Sequence, residues 1–217
     1  MTRAAREAVG VDTHVSTLPL MAALEDGWRA IRENHPELPS VVLMVAPGTD
    51  GKRKRWGYFA RERWSAGGTT TIHEIMIAGE SLARTANETF ATLLHEAAHC
   101  LGAARGTINT SRGGRYHNTN YRDLAGELGL RCEKSEDFGW TITTITTVSA
   151  QRYKPQIAAL AAAQGVWRLQ EPEKPKSKTS TVRLRCGCEW SIAASPAVAE
   201  RAKIRCEDCG ELFKVRL

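Results

Sequence analysis

The sequence has no export signal and no segment long and apolar enough to cross a membrane. Its first ten residues carry Arg3 and Arg6 but lead into a polar stretch at 11–17, without the apolar core and small-residue cleavage site of a signal peptide. Charges or glycines interrupt every apolar run before the roughly 20 residues that a spanning helix needs. We therefore expect a soluble, cytoplasmic protein that can associate with the nucleoid.

Length and composition bound the domain organisation. The chain has 217 residues, of which 42% are hydrophobic, enough for one ordinary domain plus a small appended module. Residues 171–180 are dense in proline, lysine and serine, a composition typical of a linker. We therefore predict a main domain over residues 1–170, a linker over 171–180 and a small module over 181–217.

Hydrophobic periodicity predicts an α+β main domain with a small sheet packed on helices. Apolar residues recur at helical spacing in several segments, and short β-type runs follow the first of them. The predicted helices cover about residues 19–35, 119–128 and 155–163, and the predicted strands cover 41–45, 56–64 and 71–77. Residues 141–148 are β-branched and fit either a strand or a loop.

One further helix carries a clear start signal. Thr85 and Glu88 form the T-x-x-E pattern of a capping box, in which side chains at a helix start satisfy backbone donors. The helix is therefore expected to begin there and to place an apolar stripe on the sheet. It loses support at Gly102 and Gly106, and a loop rich in glycine and arginine follows.

On this helix, His95, Glu96 and His99 match the pattern H-E-x-x-H. Helix residues four apart are separated by about 40° around the axis and about 6 Å along it, so both imidazoles can reach one ion. Glu96 is turned about 100° from His95 and projects beside that ion, where a carboxylate can take a proton from metal-bound water. The histidines also project away from the apolar stripe. The pattern therefore predicts a catalytic Zn²⁺ site with Glu96 as general base.

A catalytic zinc needs a third protein ligand and leaves its fourth position to water. Gly102 invites the longer pattern H-E-x-x-H-x-x-G-x-x-H, but Arg105 stands in place of the final histidine and cannot be a neutral ligand. His117, just before the next predicted helix, is the strongest candidate. Asp123 and Glu127 are the alternatives, because a glutamate from a following helix is the third ligand in other zincins. The remaining histidines have no partner at a metal spacing and are treated as surface or structural residues: His14, His35 and His73.

Four of the six cysteines form two close pairs near the carboxyl end. The pairs are Cys186 with Cys188 and Cys206 with Cys209. A reducing cytoplasm disfavours disulfides, so we interpret the pairs as two knuckles around a second, structural Zn²⁺, a zinc ribbon, with disulfides as the alternative. The first pair has one intervening residue where two are usual, so its knuckle must differ from the common one. Cys100 and Cys132 lack close partners and are predicted to be buried thiols.

These features together resemble the SprT-like family of zinc metalloproteases, which includes the Spartan proteases. The likeness covers about residues 72–130 and the cysteine module, a ribbon that such proteins often carry. In that family a third histidine, commonly followed by glycine and then an aromatic residue, completes the zinc site. Here His117 fits the histidine, Asn118 replaces the glycine and Tyr121 fits the aromatic position. The resemblance implies a zincin-like domain with endopeptidase activity on DNA-associated or DNA-crosslinked proteins, as in DNA–protein crosslink repair.

The charge distribution points to nucleic acid as a partner. The net charge is +6 with a pI near 9.1, and basic residues lie beside aromatic ones at 52–58. Others flank the proposed metal site at Arg105, Arg112 and Arg115, and lysines recur in the linker. Cations bind phosphates and rings stack on unpaired bases, a combination that suits DNA, particularly single-stranded DNA.

We therefore predict a zinc endopeptidase with a protein substrate and DNA as its partners. The first alternative is a DNA-binding zinc protein or transcriptional regulator that cleaves nothing, for which a filled fourth coordination position would be expected. A hydrolase acting on a non-protein amide is the second.

Overall fold

A computed structural model describes residues 15–48, 54–170 and 181–215, and the chain divides into two units, Met1–Gln170 and Glu171–Leu217. Both units combine helices with small sheets, which confirms the predicted α+β class. Within the described residues no helix is long and apolar enough to cross a membrane. Lys52, Arg53, His14 and the linker at 171–180 lie outside the described residues.

The first sheet of the main unit follows helix α1 and has three strands. The elements are α1 (Leu18–Asn34), β1 (Val41–Ala46), β2 (Gly57–Ser65) and β3 (Thr71–Ala78). Their bounds agree with the predicted helix and strands to within one residue. The strand order is β1-β3-β2, with β1 parallel and β2 antiparallel to β3, so β2 is an edge strand.

One face of this sheet is buried against the helices. Leu43, Ile75 and Ile77 lie on it because alternate strand residues point to the same side, and all three belong to the hydrophobic core. Each fully buried aliphatic side chain contributes about 1.5–3 kcal/mol. This packing holds β2 beside the next helix, α2.

Helix α2 (Ala86–Ala104) begins at the predicted capping box. The Glu88 backbone N–H donates to Thr85 Oγ1 over 3.3 Å, and the Thr85 N–H donates to the Glu88 carboxylate over 3.0 Å. Such a cap contributes about 1 kcal/mol. The helix continues through Gly102, which is therefore not its end. Its buried apolar residues are Phe90, Ala91, Leu93, Leu94, Ala97, Ala98, Cys100 and Leu101.

A second sheet, of order β4-β5-β7-β6, also packs on α2. Its elements and the helix between them are β4 (Thr110–Ser111), β5 (Tyr116–His117), α3 (Thr119–Glu127), β6 (Leu130–Ser135) and β7 (Gly139–Ile145). The undecided segment at 141–148 divides in two, because β7 ends at Ile145 and Thr146 then caps α4 (Thr147–Arg152). Helix α5 (Lys154–Ala163) follows, close to its predicted bounds.

The second unit is a three-stranded antiparallel sheet with one short helix. Its elements are β8 (Val182–Arg185), β9 (Ser191–Ala194), α6 (Pro196–Arg201) and β10 (Lys214–Val215), in the order β10-β8-β9. Among its described residues, the buried hydrophobic ones are only Leu184, Ala194, Cys186 and Cys206. A unit with so small a core needs a further source of stability.

Candidate metal centre

Three imidazoles converge between α2 and β5. His117 Nε2 lies 3.2 Å from His95 Nε2 and 3.1 Å from His99 Nε2. His95 and His99 reach this point because they are one helical turn apart on α2. His117 reaches it from β5, where its backbone N–H donates to Phe138 O over 2.9 Å. The three histidines form a group whose ligand atoms can hold a metal ion.

The other ring nitrogen of each histidine faces an oxygen that can accept a hydrogen bond. His95 Nδ1 lies 3.2 Å from Thr143 Oγ1, His99 Nδ1 lies 3.2 Å from Asn109 Oδ1, and His117 Nδ1 lies 3.3 Å from Phe138 O. Asn109 Oδ1 and Phe138 O can only accept, which assigns the proton to Nδ1 of His99 and His117; with the same tautomer at His95, each Nε2 presents a lone pair to the same point. Three lone pairs repel one another at this distance, and a shared cation relieves that repulsion. The donor set therefore fits a metal ion.

The protonation state of the cluster fits the same conclusion. Burial, followed by the neighbouring imidazoles, holds the pKa of His95 well below its usual value. Burial and His117 lower the pKa of His99 to about 4, and burial lowers the pKa of His117. All three rings are therefore neutral near pH 7, which is the form that binds metals.

The Glu96 side chain projects from α2 toward the edge strand β2. This side chain is buried, and the backbone N–H of Phe59 lies close enough to its carboxyl group to lower the pKa of that group. Gly57 leaves room for it, because a Cβ atom there would lie 2.9 Å from Glu96 Oε1. Burial raises the pKa of Glu96 to about 8, and Arg55 opposes this rise. A dipositive ion at the neighbouring histidines would favour the carboxylate form.

The alternative third ligands lie elsewhere. Glu127 pairs with Arg105 over 2.8 Å, and Asp123 pairs with Arg122 over 2.7 Å. Within the described residues, neither carboxylate belongs to a group that can hold a metal. Arg105 also pairs with Glu37, so this arginine holds α2 to its neighbours instead of adding a free positive charge beside the site. Arg112 lies over the Tyr116 ring at 4.6 Å.

Sequence reasoning missed the three groups that orient the imidazoles: Thr143, Asn109 and the Phe138 carbonyl. Asn109 is buried and acts twice, since its Nδ2 also donates to Ala98 O over 3.2 Å. This close approach requires Gly102, where a Cβ atom would lie 2.4 Å from Asn109 Nδ2. A glycine inside a helix is a signal of close packing that could have been used.

We expect Gly102→Ala to weaken metal binding at the three histidines by roughly 10- to 100-fold, the usual effect of losing a group that orients a ligand. The added methyl group displaces Asn109 from His99, although alanine favours the helix itself by about 1 kcal/mol. Zinc titration with a competing chelator measures the change. Gly126→Ala in α3 is the matched control, because no atom lies within 4 Å of its added Cβ. If the Gly102→Ala and Gly126→Ala proteins bind equally, Asn109 does not support the site.

The second unit brings the four paired cysteines together. Their sulfur atoms all lie within 4.8 Å of one another and form a group that can hold a metal ion. The residue after the second cysteine of each pair has a positive φ, 67° at Glu189 and 71° at Gly210, so the shorter first knuckle turns back as the second does. Backbone N–H groups of Glu211 and Cys188 lower the pKa of Cys209 to about 6.

The cysteines are not joined by disulfides, including the two outside the cluster. Cys100 is fully buried, and burial raises the pKa of its thiol to about 12. Cys132 is only half-buried, so its prediction as a buried thiol is wrong, because it lies on the exposed strand β6.

No protein-family model, no curated protein and no solved structure matches this chain. The interpretation of the site therefore depends on its geometry and chemistry.

Proposed function

We propose that this protein is a zinc-dependent endopeptidase of the SprT-like type. The main support for the proposal is that the Nε2 atom of His117 lies about 3 Å from those of His95 and His99. The helix that carries His95 and His99 also carries the buried carboxyl group of Glu96. A zincin-like domain is the fold that this reading implies for the main unit.

Zinc is the metal that the donor set favours. Three neutral imidazoles suit Zn²⁺, and catalytic zinc sites commonly have three protein ligands and an open fourth position. Among the described residues, no fourth histidine, cysteine or carboxylate joins the three. This supports a catalytic site over the structural alternative, in which a fourth ligand would be expected.

In the proposed reaction, zinc supplies Lewis acidity for the scissile carbonyl and lowers the pKa of water. Glu96 takes the proton from the attacking water and delivers it to the leaving nitrogen. Asn109 Oδ1 and Phe138 O keep His99 and His117 in their ligating tautomer, and Thr143 Oγ1 can accept from His95 Nδ1.

The edge strand β2 suits a peptide substrate. Trp56 O accepts the Ala78 N–H over 2.8 Å, so the even-numbered residues of β2 bond to β3 and the backbone groups of Gly57 point away from it. An extended peptide can pair with such an edge, which would bring its backbone past Glu96. This arrangement favours a peptide bond over another amide as the group that is cleaved.

We expect the zinc-loaded protein to cleave an unfolded protein such as reduced, alkylated casein, with the products identified by mass spectrometry. A chelator should abolish cleavage and added zinc should restore it. The assay is run with and without single-stranded DNA, because a requirement for DNA would otherwise look like inactivity. If the protein holds zinc at the histidines and cleaves nothing under either condition, the endopeptidase proposal is wrong and only the non-catalytic protein and the hydrolase of a non-protein amide are left.

The second unit supports the proposal of DNA as a partner, with zinc held by the four cysteines. Arg183 and Arg185 share one face of β8, and Lys214 on β10 is directly opposite Arg185. All three side chains are exposed, and their neighbours across β9 on that face are Ser191 and Ala193. No acidic residue lies on this face of the three described strands. Such a face is suited to bind phosphates.

We expect the double change Arg183→Ser and Arg185→Ser to weaken binding of single-stranded DNA and to reduce the salt dependence. Each lost phosphate contact should lower the slope of log K against log salt by about 0.7. Fluorescence anisotropy with a labelled oligonucleotide measures both. The control is Arg131→Ser with Lys134→Ser on β6, which changes the net charge equally. Equal loss in both variants would show that net charge, and not this face, drives binding.

A further inference from the structure

The ring of the buried Tyr121 contacts the imidazoles of all three histidines. Its ring centroid lies 4.9 Å from that of His95, 4.8 Å from that of His99 and 4.4 Å from that of His117. Among the ring contacts of the described residues, no other aromatic side chain touches all three. The side chain is completely buried.

Tyr121 is itself held in place relative to His117. Asn118 follows His117 directly and caps α3, with its Oδ1 accepting the Tyr121 backbone N–H over 3.1 Å. The ring therefore projects from the first turn of α3 toward the imidazole of His117, which lies just before this helix. It also reaches the two imidazoles that α2 supplies.

The hydroxyl group of Tyr121 does not explain its position. Tyr121 Oη is buried and has no hydrogen-bond partner among the described residues. A buried polar group without a partner costs about 1–3 kcal/mol. A phenylalanine would fill the same space without that cost, and the contacts with the three imidazoles come from the ring and not from the hydroxyl group.

The three ligands come from two separate elements, α2 and β5, and a metal site requires them to be oriented together. Each Nδ1 partner restrains one imidazole only. Tyr121 is the one described side chain whose ring restrains all three, because a planar surface in contact with each ring limits how far it can rotate.

We propose that Tyr121 is the positioning residue of the histidine metal site, with its ring, and not its hydroxyl group, setting the arrangement of His95, His99 and His117. The inference rests on the metal-binding part of the proposed function and is independent of peptide cleavage.

The test is metal binding by the full chain, with zinc affinity measured by chelator competition and geometry by the visible spectrum of bound Co²⁺ at the histidines, while zinc occupies the cysteines. We expect Tyr121→Phe to match the wild type within about twofold in zinc affinity and to keep its Co²⁺ spectrum. Tyr121→Leu should bind zinc roughly 10- to 100-fold more weakly and change the spectrum, as when other groups that orient ligands are lost.

Leu128→Ala is the control for general loss of packing, since Leu128 is buried at the end of the same helix, about two turns beyond Tyr121. It should lower the unfolding temperature and leave the Co²⁺ spectrum unchanged. Tyr121→Met replaces the leucine variant if that variant does not fold.

Wild-type binding by Tyr121→Leu, or by Tyr121→Met in its place, would overturn the inference. A Tyr121→Phe protein as weak as Tyr121→Leu would also overturn it, because the hydroxyl group would then be the important part. If the wild type itself binds no metal at the histidines, the proposed function fails first.

Discussion

We expect Glu96→Gln to lose peptide cleavage while retaining metal binding at both the histidine group and the cysteine group. Glutamine has nearly the same shape as glutamate but cannot take a proton from water. General bases contribute about 10²- to 10⁴-fold to rates, so we expect kcat to fall by at least about a hundredfold. Metal binding should not change, because the three imidazoles and their Nδ1 partners are untouched.

The measurements are initial rates with the protein substrate and elemental analysis of the same samples. Asp123→Asn is the matched control, since it makes the same chemical change on an exposed side chain of α3 outside the histidine group. It should retain both the rate and the metal. Cleavage by Glu96→Gln at the wild-type rate would show that another group is the general base.

The parts of this site that sequence reasoning predicted are those set by neighbours a few positions away. The capping box of Thr85 and Glu88 depends on a spacing of three residues, and the pairing of His95 with His99 depends on one helical turn. Such signals depend only on residues within one helical turn and not on the packing of the rest of the fold. The start of α2 and the relative positions of its two histidines were therefore predictable.

The groups that orient the imidazoles depend on distant packing. Thr143 is 48 positions from His95 and reaches it only because β7 packs on α2. The hairpin of β6 and β7 was not predicted, since β6 is largely exposed and carries charged residues that obscure its alternation. Asn109 lies in a loop, where sequence patterns do not specify which way a side chain points.

The choice of third ligand shows the same limit. Three residues after α2 had suitable chemistry, and their sequence distances did not separate them. In the structure, β5 pairs with Gly139 and directs His117 toward α2, whereas salt bridges with arginines hold Asp123 and Glu127 outside the cluster. The pairing of β5 with β7 therefore selects His117 as the third ligand, and no local sequence pattern predicts that pairing.

His117→Ala should lose the metal of the histidine group and keep that of the cysteine group. Removing one of three ligands leaves two imidazoles on one helix turn, which cannot enclose an ion. The loss of affinity should exceed the roughly 10- to 100-fold that follows the loss of a group that only orients a ligand. The cysteine group lies in the other unit and supplies its own four sulfur atoms, so its affinity should not change.

Elemental analysis after dialysis against a weak chelator should give two zinc ions per chain for the wild type and one for His117→Ala. Asp123→Asn and Glu127→Gln are the decisive comparisons, because they test the two alternative ligands, and each should retain two. The Glu127 change also removes the salt bridge with Arg105. Any loss of stability from that change should therefore appear in the unfolding temperature and not in the metal count.

A His117→Ala protein that still binds two zinc ions tightly would mean that the third ligand is another residue. Loss of one ion from Asp123→Asn or Glu127→Gln would identify that residue and replace the His₃ site by a carboxylate-containing one. Such a site would neutralise part of the charge of the ion, whereas three neutral imidazoles leave the full dipositive charge to acidify water. The His₃ arrangement therefore predicts both the metal count and the ability to activate water near neutral pH.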